Sequence, residues 1–160
     1  MIITYYGGGK FRIKTRDANI TLSPDAVDID GFVIDGPGEY ERRNIFVEVP
    51  FELPAFKIMA EDIQMLYPGK AKKLTEKQIE VLDGVDLLFL PAGDEDSMSL
   101  KDALDLSGAM EPSVIIPMYF SNIEELKKEG LEGEVEKSAK ISKTSLPEEG
   151  RQTIFLENIS

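Results

Sequence analysis

The chain has 160 residues, a hydrophobic content of 42%, a formal net charge of −12, and neither cysteine nor histidine. This length and hydrophobic content predict one domain, residues 1–160, built around one sizeable core. The negative charge disfavours nucleic acids and anionic membranes as partners. Without cysteine or histidine, any catalysis would have to use carboxylates, lysines, tyrosines and hydroxyls. Because no apolar run is long enough to span a membrane and the N-terminus lacks the regions of a signal peptide, we expect a cytoplasmic protein.

Short strands dominate the first part of the sequence. Alternating apolar and polar residues, separated by turn residues, predict strands at 2–6, 10–15, 19–22, 32–34, 45–49, 56–60 and 63–67. Gly7 to Gly9 are interpreted as a turn, because no helix pattern follows them and the Gly-Lys-Ser/Thr ending of a phosphate loop is missing. Glu61 and Asp62 are predicted to turn a hairpin. Up to Tyr67 the pattern is therefore typical of antiparallel β structure.

Helices alternate with strands after Tyr67. Helices are predicted near 76–83, 100–110 and 123–129, with strands at 85–90, 114–118 and 152–156. Each helix has a capping residue with its partner three positions later: Thr75 with Gln78, Ser99 with Asp102, and Asn122 with Glu125. The strands at 85–90 and 114–118 are continuous apolar runs, which favours parallel strands covered on both faces and joined by a helix.

The carboxyl ends of such parallel strands form one edge of the sheet, where α/β folds bind ligands. We predict that the loops at this edge bring together Lys70, Lys72 and Lys73; Asp94, Glu95 and Asp96; and Tyr119. The candidate pocket edge consists of Lys70, Asp94, Asp96 and Tyr119.

Each of these groups has two interpretations. The acidic loop could bind a hard cation such as Ca²⁺ or Mg²⁺, or its charge could simply favour the N-terminus of the following helix. The lysines could attract an anionic ligand, or they could be exposed side chains. Tyr119 could donate a proton or bind a substrate, or its ring could pack while its hydroxyl bonds locally.

Three ordered motifs resemble segments of a known family. They are FVIDGPGEYE at 32–41, LTEKQIEVLDGVDLLFLPAG at 74–93 and MEPSVIIPMY at 110–119. They are similar to successive segments of metal-dependent hydrolases in the metallo-β-lactamase superfamily, in the branch related to ascorbate-phosphate lactonase. With the strand-rich start and the SLPEEG and TIFLE segments, the resemblance covers most of the chain. It implies an α/β fold: a four-layer αββα sandwich with two mixed β-sheets, here truncated.

The activity of that family depends on metal ions held mainly by histidines and an aspartate, and the expected ligands are missing here. The family's His-x-His-x-Asp-His loop is deleted, since the chain runs from Leu22 through residues 23–30 directly to Gly31. The connection at 50–54 has no histidine, and the stretch 67–70 replaces the family's Gly-Asp. Tyr119 stands where the family has the histidine of Pro-Met-His. The resemblance therefore implies a retained fold with a lost zinc site and no cofactor.

Two functional hypotheses follow. The first is a metal-free, catalytically inactive metallo-β-lactamase-fold protein that acts as a binding or interaction module. A homo-oligomer is a further hypothesis, because the deletion could expose an apolar sheet face. The second is a metal-dependent, hydrolase-like enzyme with a rebuilt site, in which Asp94 and Asp96 hold a hard metal, or Tyr119 and a lysine act on a small anionic substrate.

Overall fold

The structure, a computed structural model, describes residues 1–50, 55–93 and 96–160. In chain order its elements are β1 (Ile2–Tyr5), β2 (Phe11–Lys14), β3 (Asn19–Ser23), β4 (Ala26–Ile29), β5 (Phe32–Ile34), β6 (Gly38–Arg42), β7 (Ile45–Val49), β8 (Phe56–Ala60), β9 (Ile63–Tyr67), α1 (Glu76–Val81), β10 (Leu87–Pro91), α2 (Leu100–Met110), β11 (Val114–Met118), α3 (Ile123–Lys128), β12 (Gly133–Glu136), β13 (Ala139–Lys140) and β14 (Gln152–Leu156). A short 3-10 turn, Lys143–Ser145, precedes β14.

The strands form two sheets. The N-terminal sheet has the order β13-β1-β2-β3-β4-β5 and is antiparallel throughout. The mixed sheet has the order β12-β14-β11-β10-β9-β8-β7-β6, with antiparallel pairs from β6 to β9 and parallel pairs from β9 to β12. Both the predicted antiparallel first half and the predicted parallel strands around α2 are confirmed.

Alternating apolar residues create the core between the two sheets. Phe11, Ile13 and Ile20 of the N-terminal sheet are fully buried against residues such as Met65 and Phe89 of the mixed sheet. The opposite face of the mixed sheet packs against α1, α2 and α3 in a second apolar cluster. Because β10 and β11 are covered on both faces, every residue in them is buried, as their continuous apolar sequence predicts.

The predicted sandwich of two β-sheets in an α/β fold is confirmed. Its helices, in the part of the chain that the structure describes, lie on the mixed sheet. The outer face of the N-terminal sheet instead carries polar side chains such as Arg12, Lys14, Asn19 and Asp28. No helix within the described ranges combines the length and the apolar character that crossing a membrane requires.

Several local predictions hold and a few differ. The Gly7–Gly9 turn joins β1 to β2, and Glu61 and Asp62 adopt φ values of 51° and 63°, which suit a tight hairpin turn. Thr75 and Gln78 form the predicted capping box, and Ser99 accepts from the amide of Asp102. Asn122, however, accepts from the amide of Glu124 rather than that of Glu125, because the cap engages the second helical residue.

The strands β4, β6, β12 and β13 were not predicted, and several predicted boundaries shift. Helix α1 ends at Val81 rather than at residue 83, and β10 begins at Leu87 rather than at residue 85. β4 contains Asp28 and is flanked by Asp25 and Asp30, so that the short segment resembles a loop, yet pairing with both β3 and β5 makes it a strand. The strands β6, β12 and β13 lie at sheet edges, where charged sequences are common and local signals are weak.

Candidate functional site

The carboxyl ends of the parallel strands form one edge of the mixed sheet, as predicted, and two tyrosines lie at this edge. β10 runs parallel to β9 and to β11, so the carboxyl ends of the three strands lie side by side. Tyr67 is the last residue of β9, and Tyr119 directly follows β11. The amide of Ala92, after β10, donates to the carbonyl of Met118 at 2.9 Å and continues the pairing beyond the strands.

The backbone of Tyr119 has an unusual conformation. Its φ is 63°, in the left-handed region, which costs a residue with a side chain roughly 1–2 kcal/mol. The Tyr119 amide donates to the hydroxyl oxygen of Tyr5 at 3.2 Å. Tyr5 is the last residue of β1. The end of the mixed sheet is thereby tied to the N-terminal sheet.

The side chain of Tyr119 is held by three neighbours. Its hydroxyl donates to the carbonyl oxygen of Gly69 at 3.1 Å. Its ring covers Gly9, where an added Cβ would lie 2.6 Å from the Tyr119 hydroxyl oxygen. The ammonium group of Lys70 lies 4.7 Å from the centre of the ring, within the range of a cation–π interaction. Tyr119 is therefore a half-buried residue with a fixed orientation.

Tyr67 is completely buried beneath this arrangement. Its hydroxyl donates to the carbonyl oxygen of Gly9. Burial, and next the nearby Tyr119, raise the pKa of the Tyr67 phenol far above its ordinary value. The phenol therefore stays neutral and keeps its proton for the Gly9 carbonyl.

Tyr5 completes the group. Its buried hydroxyl oxygen accepts from the amide of Gly9 at 3.5 Å as well as from the amide of Tyr119. Its ring lies 4.6 Å from that of Phe11, in the core between the sheets. We call Tyr5, Tyr67 and Tyr119, which surround Gly9, the tyrosine cluster.

The chemistry of the tyrosine cluster is that of local hydrogen bonding. The phenol protons of Tyr67 and Tyr119 go to backbone carbonyls, and the hydroxyl oxygen of Tyr5 accepts backbone amides. Phenol groups used in this way join the two sheets and satisfy buried backbone groups. Tyr119 thus packs its ring on Gly9 and donates its hydroxyl proton to a neighbouring backbone carbonyl.

The other residues of the predicted pocket edge have different positions. Lys70 and Tyr119 come together, as described above. Asp96 is exposed in the turn before α2. The ammonium group of the exposed Lys72 donates to the carbonyl of Ser97 at 3.4 Å, so the lysine loop meets the loop that carries Asp96. Asp94 and Glu95 lie outside the described residues.

A zinc site of the kind that the resemblance implies does not fit these residues. The chain has no histidine or cysteine, and within the described ranges no three acidic side chains are grouped so that they could hold a metal ion. Zinc in proteins takes three or four ligands from thiolates, imidazoles and carboxylates. The tyrosine cluster offers phenol groups that already bond to the backbone.

Sequence reasoning found Tyr119 and Lys70 but missed Tyr5, Gly9 and Tyr67. The position of Tyr67 at the end of a predicted parallel strand was an available signal for its place at the edge. Tyr5 and Gly9 belong to the other sheet, and no local pattern indicates that their turn reaches the end of β11.

Comparisons with known proteins agree with this architecture. The family profile described as "Beta-lactamase superfamily domain" matches residues 23–119. No curated protein is significantly similar to the chain in sequence.

Solved structures show the same fold. A protein named as a candidate Zn-dependent hydrolase of the metallo-β-lactamase superfamily, from Thermotoga maritima, superposes with a TM-score of 0.82 at 20% identity, covering 98% of each chain. Igni18, a metallo hydrolase from Ignicoccus hospitalis, superposes with a TM-score of 0.61 at 12% identity, covering 80% of this chain and 89% of its own. A protein named as a candidate metal-dependent hydrolase, from Parabacteroides distasonis, superposes with a TM-score of 0.50 at 12% identity, covering 97% of this chain and 98% of its own. At these identities the similarity concerns the fold alone.

Proposed function

Because this chain belongs to the β-lactamase superfamily, whose domain profile matches residues 23–119, we propose that it is a metal-free, catalytically inactive member that acts as a binding or interaction module. The superfamily's hydrolases work through bound metal, which polarises a substrate oxygen and activates a water molecule. The residues of this chain do not provide that centre in its described part.

The observation that carries the proposal is the set of contacts that the Tyr119 side chain makes with the backbone. By the resemblance of its motif, this position would hold a metal-binding histidine. Here the hydroxyl of Tyr119 donates to the Gly69 carbonyl and its ring lies on Gly9. A side chain fixed on the backbone in this way supports the fold, and reorienting it toward a metal would break both contacts.

The neighbours of Tyr119 support the same conclusion. Tyr67 is buried and its raised pKa keeps it neutral, so it offers no anionic oxygen to a metal. The hydroxyl oxygen of Tyr5 is already engaged by two backbone amides. The tyrosine cluster thus joins the two sheets where the resemblance implies a metal centre. We propose that a retained scaffold of this kind serves recognition by its surface.

One observation favours a second candidate function. The ammonium group of Lys70 lies over the Tyr119 ring at the ligand-binding edge of the sheet, where a cation could attract a small anionic substrate. In this alternative the chain is a hydrolase-like enzyme with a rebuilt site that also uses Asp94 and Asp96.

Thermal-shift titrations with calcium, magnesium, manganese and zinc test the two candidates. The matched variant is Asp94→Asn with Asp96→Asn, which keeps the side-chain size and removes both charges. We expect the same melting temperature with and without each metal, in the wild type and in the variant. A metal-dependent rise in melting temperature that the double variant abolishes would overturn the inactive, metal-free proposal and favour the rebuilt site.

A further inference from the structure

An open groove lies on the outer face of the antiparallel half of the mixed sheet. Its volume is about 330 Å³, and its lining includes Glu39, Phe46, Glu48, Lys57, Met59 and Gln64. We call it the β7–β8 groove. Phe46 and Met59 are directly opposite each other on β7 and β8 and form its apolar floor. Phe46 is 43% exposed although its strand, β7, has a paired strand on each side.

The helical layer of the protein stops short of this groove. α1, α2 and α3 cover the part of the mixed sheet that contains β10, β11 and β14, through buried residues such as Leu88, Ile115 and Phe155. The β7–β8 groove lies on the same face of the same sheet, next to the end of α1, where Lys57 donates to the carbonyl of Asp83 at 2.6 Å. A helix laid on the groove would therefore extend an existing layer.

The rim of the groove is acidic. Glu39 and Glu48 are directly opposite each other on β6 and β7, and Glu41 is opposite Phe46. Two like charges in directly opposite positions destabilise a sheet unless a cation lies near them. Lys57 is opposite Glu48, but its ammonium group bonds to the Asp83 carbonyl, and within the described residues it forms no ion pair with either glutamate.

The glutamates at the groove favour a positively charged partner over a second copy of this chain. A second copy of this chain, docked symmetrically on the same face, would bring the same carboxylates against one another. The net charge of −12 adds to this repulsion. A positively charged partner would instead neutralise Glu39, Glu41 and Glu48 while its apolar side chains cover Phe46 and Met59.

We infer that the β7–β8 groove binds a basic amphipathic helix of a partner protein, with apolar side chains on Phe46 and Met59 and lysines or arginines at the glutamate rim. This inference rests on the proposed role as an interaction module and specifies its surface. Recognition of this kind places the apolar face of a helix in a groove, while charges at the rim select the partner.

The test uses a synthetic amphipathic peptide of lysine and leucine in helical periodicity, titrated into the full chain and followed by isothermal titration calorimetry and amide NMR shifts. A peptide of the same composition in scrambled order separates groove binding from simple attraction to an acidic protein. We expect the amphipathic peptide to bind more tightly than the scrambled one and to shift amides of β7 and β8. The variants Phe46→Ser and Glu39→Gln with Glu48→Gln should each weaken binding by about tenfold.

The matched control is Glu148→Gln with Glu149→Gln, which removes two exposed charges beyond the 3-10 turn and should leave binding unchanged. The inference would be overturned if the amphipathic and scrambled peptides bound with equal affinity, or if the control variant lost as much affinity as the groove variants. Amide shifts confined to strands other than β7 and β8 would also overturn it. A concentration-dependent dimer that Phe46→Ser abolishes would also overturn it, since a second copy would then occupy the groove. The metal titrations test the proposed function independently, so either idea can fail alone.

Discussion

The ring of Tyr119 occupies the space that a side chain at Gly9 would need. A Cβ at Gly9 would lie 2.6 Å from the hydroxyl oxygen of Tyr119 and 2.7 Å from its Cζ. Gly9 belongs to the turn between β1 and β2, whereas Tyr119 follows β11 in the other sheet. The two residues therefore fix how the N-terminal sheet meets the carboxyl edge of the mixed sheet.

Replacing Gly9 should be costly for two reasons. Gly9 has a φ of 77°, which is unfavourable for other residues, and an added methyl group would collide with the Tyr119 ring. We expect Gly9→Ala to lower the free energy of unfolding by about 2–4 kcal/mol. Urea denaturation measures the change.

Gly8→Ala is the matched control for Gly9→Ala. Gly8 also has a positive φ, 58°, but a Cβ there would meet no atom within 4 Å. The control should therefore show only the backbone cost, about 1 kcal/mol. Equal losses in the two variants would mean that the Tyr119 ring does not require glycine at position 9.

Tyr119→Phe isolates the hydroxyl of Tyr119. The substitution keeps the ring on Gly9 but leaves the buried carbonyl of Gly69 without its donor. We expect a loss of about 1–2 kcal/mol in the free energy of unfolding. Tyr6→Phe, at a half-buried tyrosine outside the tyrosine cluster, should change it by less than about 0.5 kcal/mol. If Tyr119→Phe is as stable as the wild type, the hydroxyl is not anchored to Gly69 in solution.

Tyr67 should make the protein sensitive to alkaline pH. Its pKa is raised in the folded state from an ordinary value of 10.0, so the unfolded chain loses the phenol proton at lower pH than the folded one. The stabilisation is fully present below pH 10.0 and decreases above it, by about 1.4 kcal/mol per pH unit. Urea denaturation from about pH 8 to about pH 11 measures this slope.

Tyr67→Phe provides the comparison, because phenylalanine does not ionise. The stability advantage of the wild type over this variant should shrink as the pH rises above 10.0. A constant difference across the range would show that the Tyr67 phenol ionises as readily in the folded protein as in the unfolded chain.

Much of the fold could be predicted from local patterns. The boundaries of α2 and β11 agree with the prediction, because capping residues and continuous apolar runs define them. β4 was missed because it is short and has aspartates within and beside it, and its strand conformation depends on pairing with β3 and β5. Local sequence carries no information about such pairing partners.

The site could be predicted only in part. The order of parallel strands indicates where Tyr119 and Lys70 meet, since both follow strands of one sheet. The contact with Gly9 and the hydrogen bond to Tyr5 join residues more than 100 positions apart in the two sheets. Those contacts depend on how the sheets pack, which no spacing in the sequence specifies.

The metal content of the purified protein tests the central claim most directly. The wild type and Tyr119→His are expressed with added zinc, purified without chelators and measured by elemental analysis. The histidine variant restores the residue type that the family has at this position, and histidine tolerates a positive φ comparatively well. We predict that zinc is far below one atom per chain in both proteins, because a single imidazole beside phenols that bond to the backbone is not a zinc site. Stoichiometric zinc in the wild type would contradict the metal-free account.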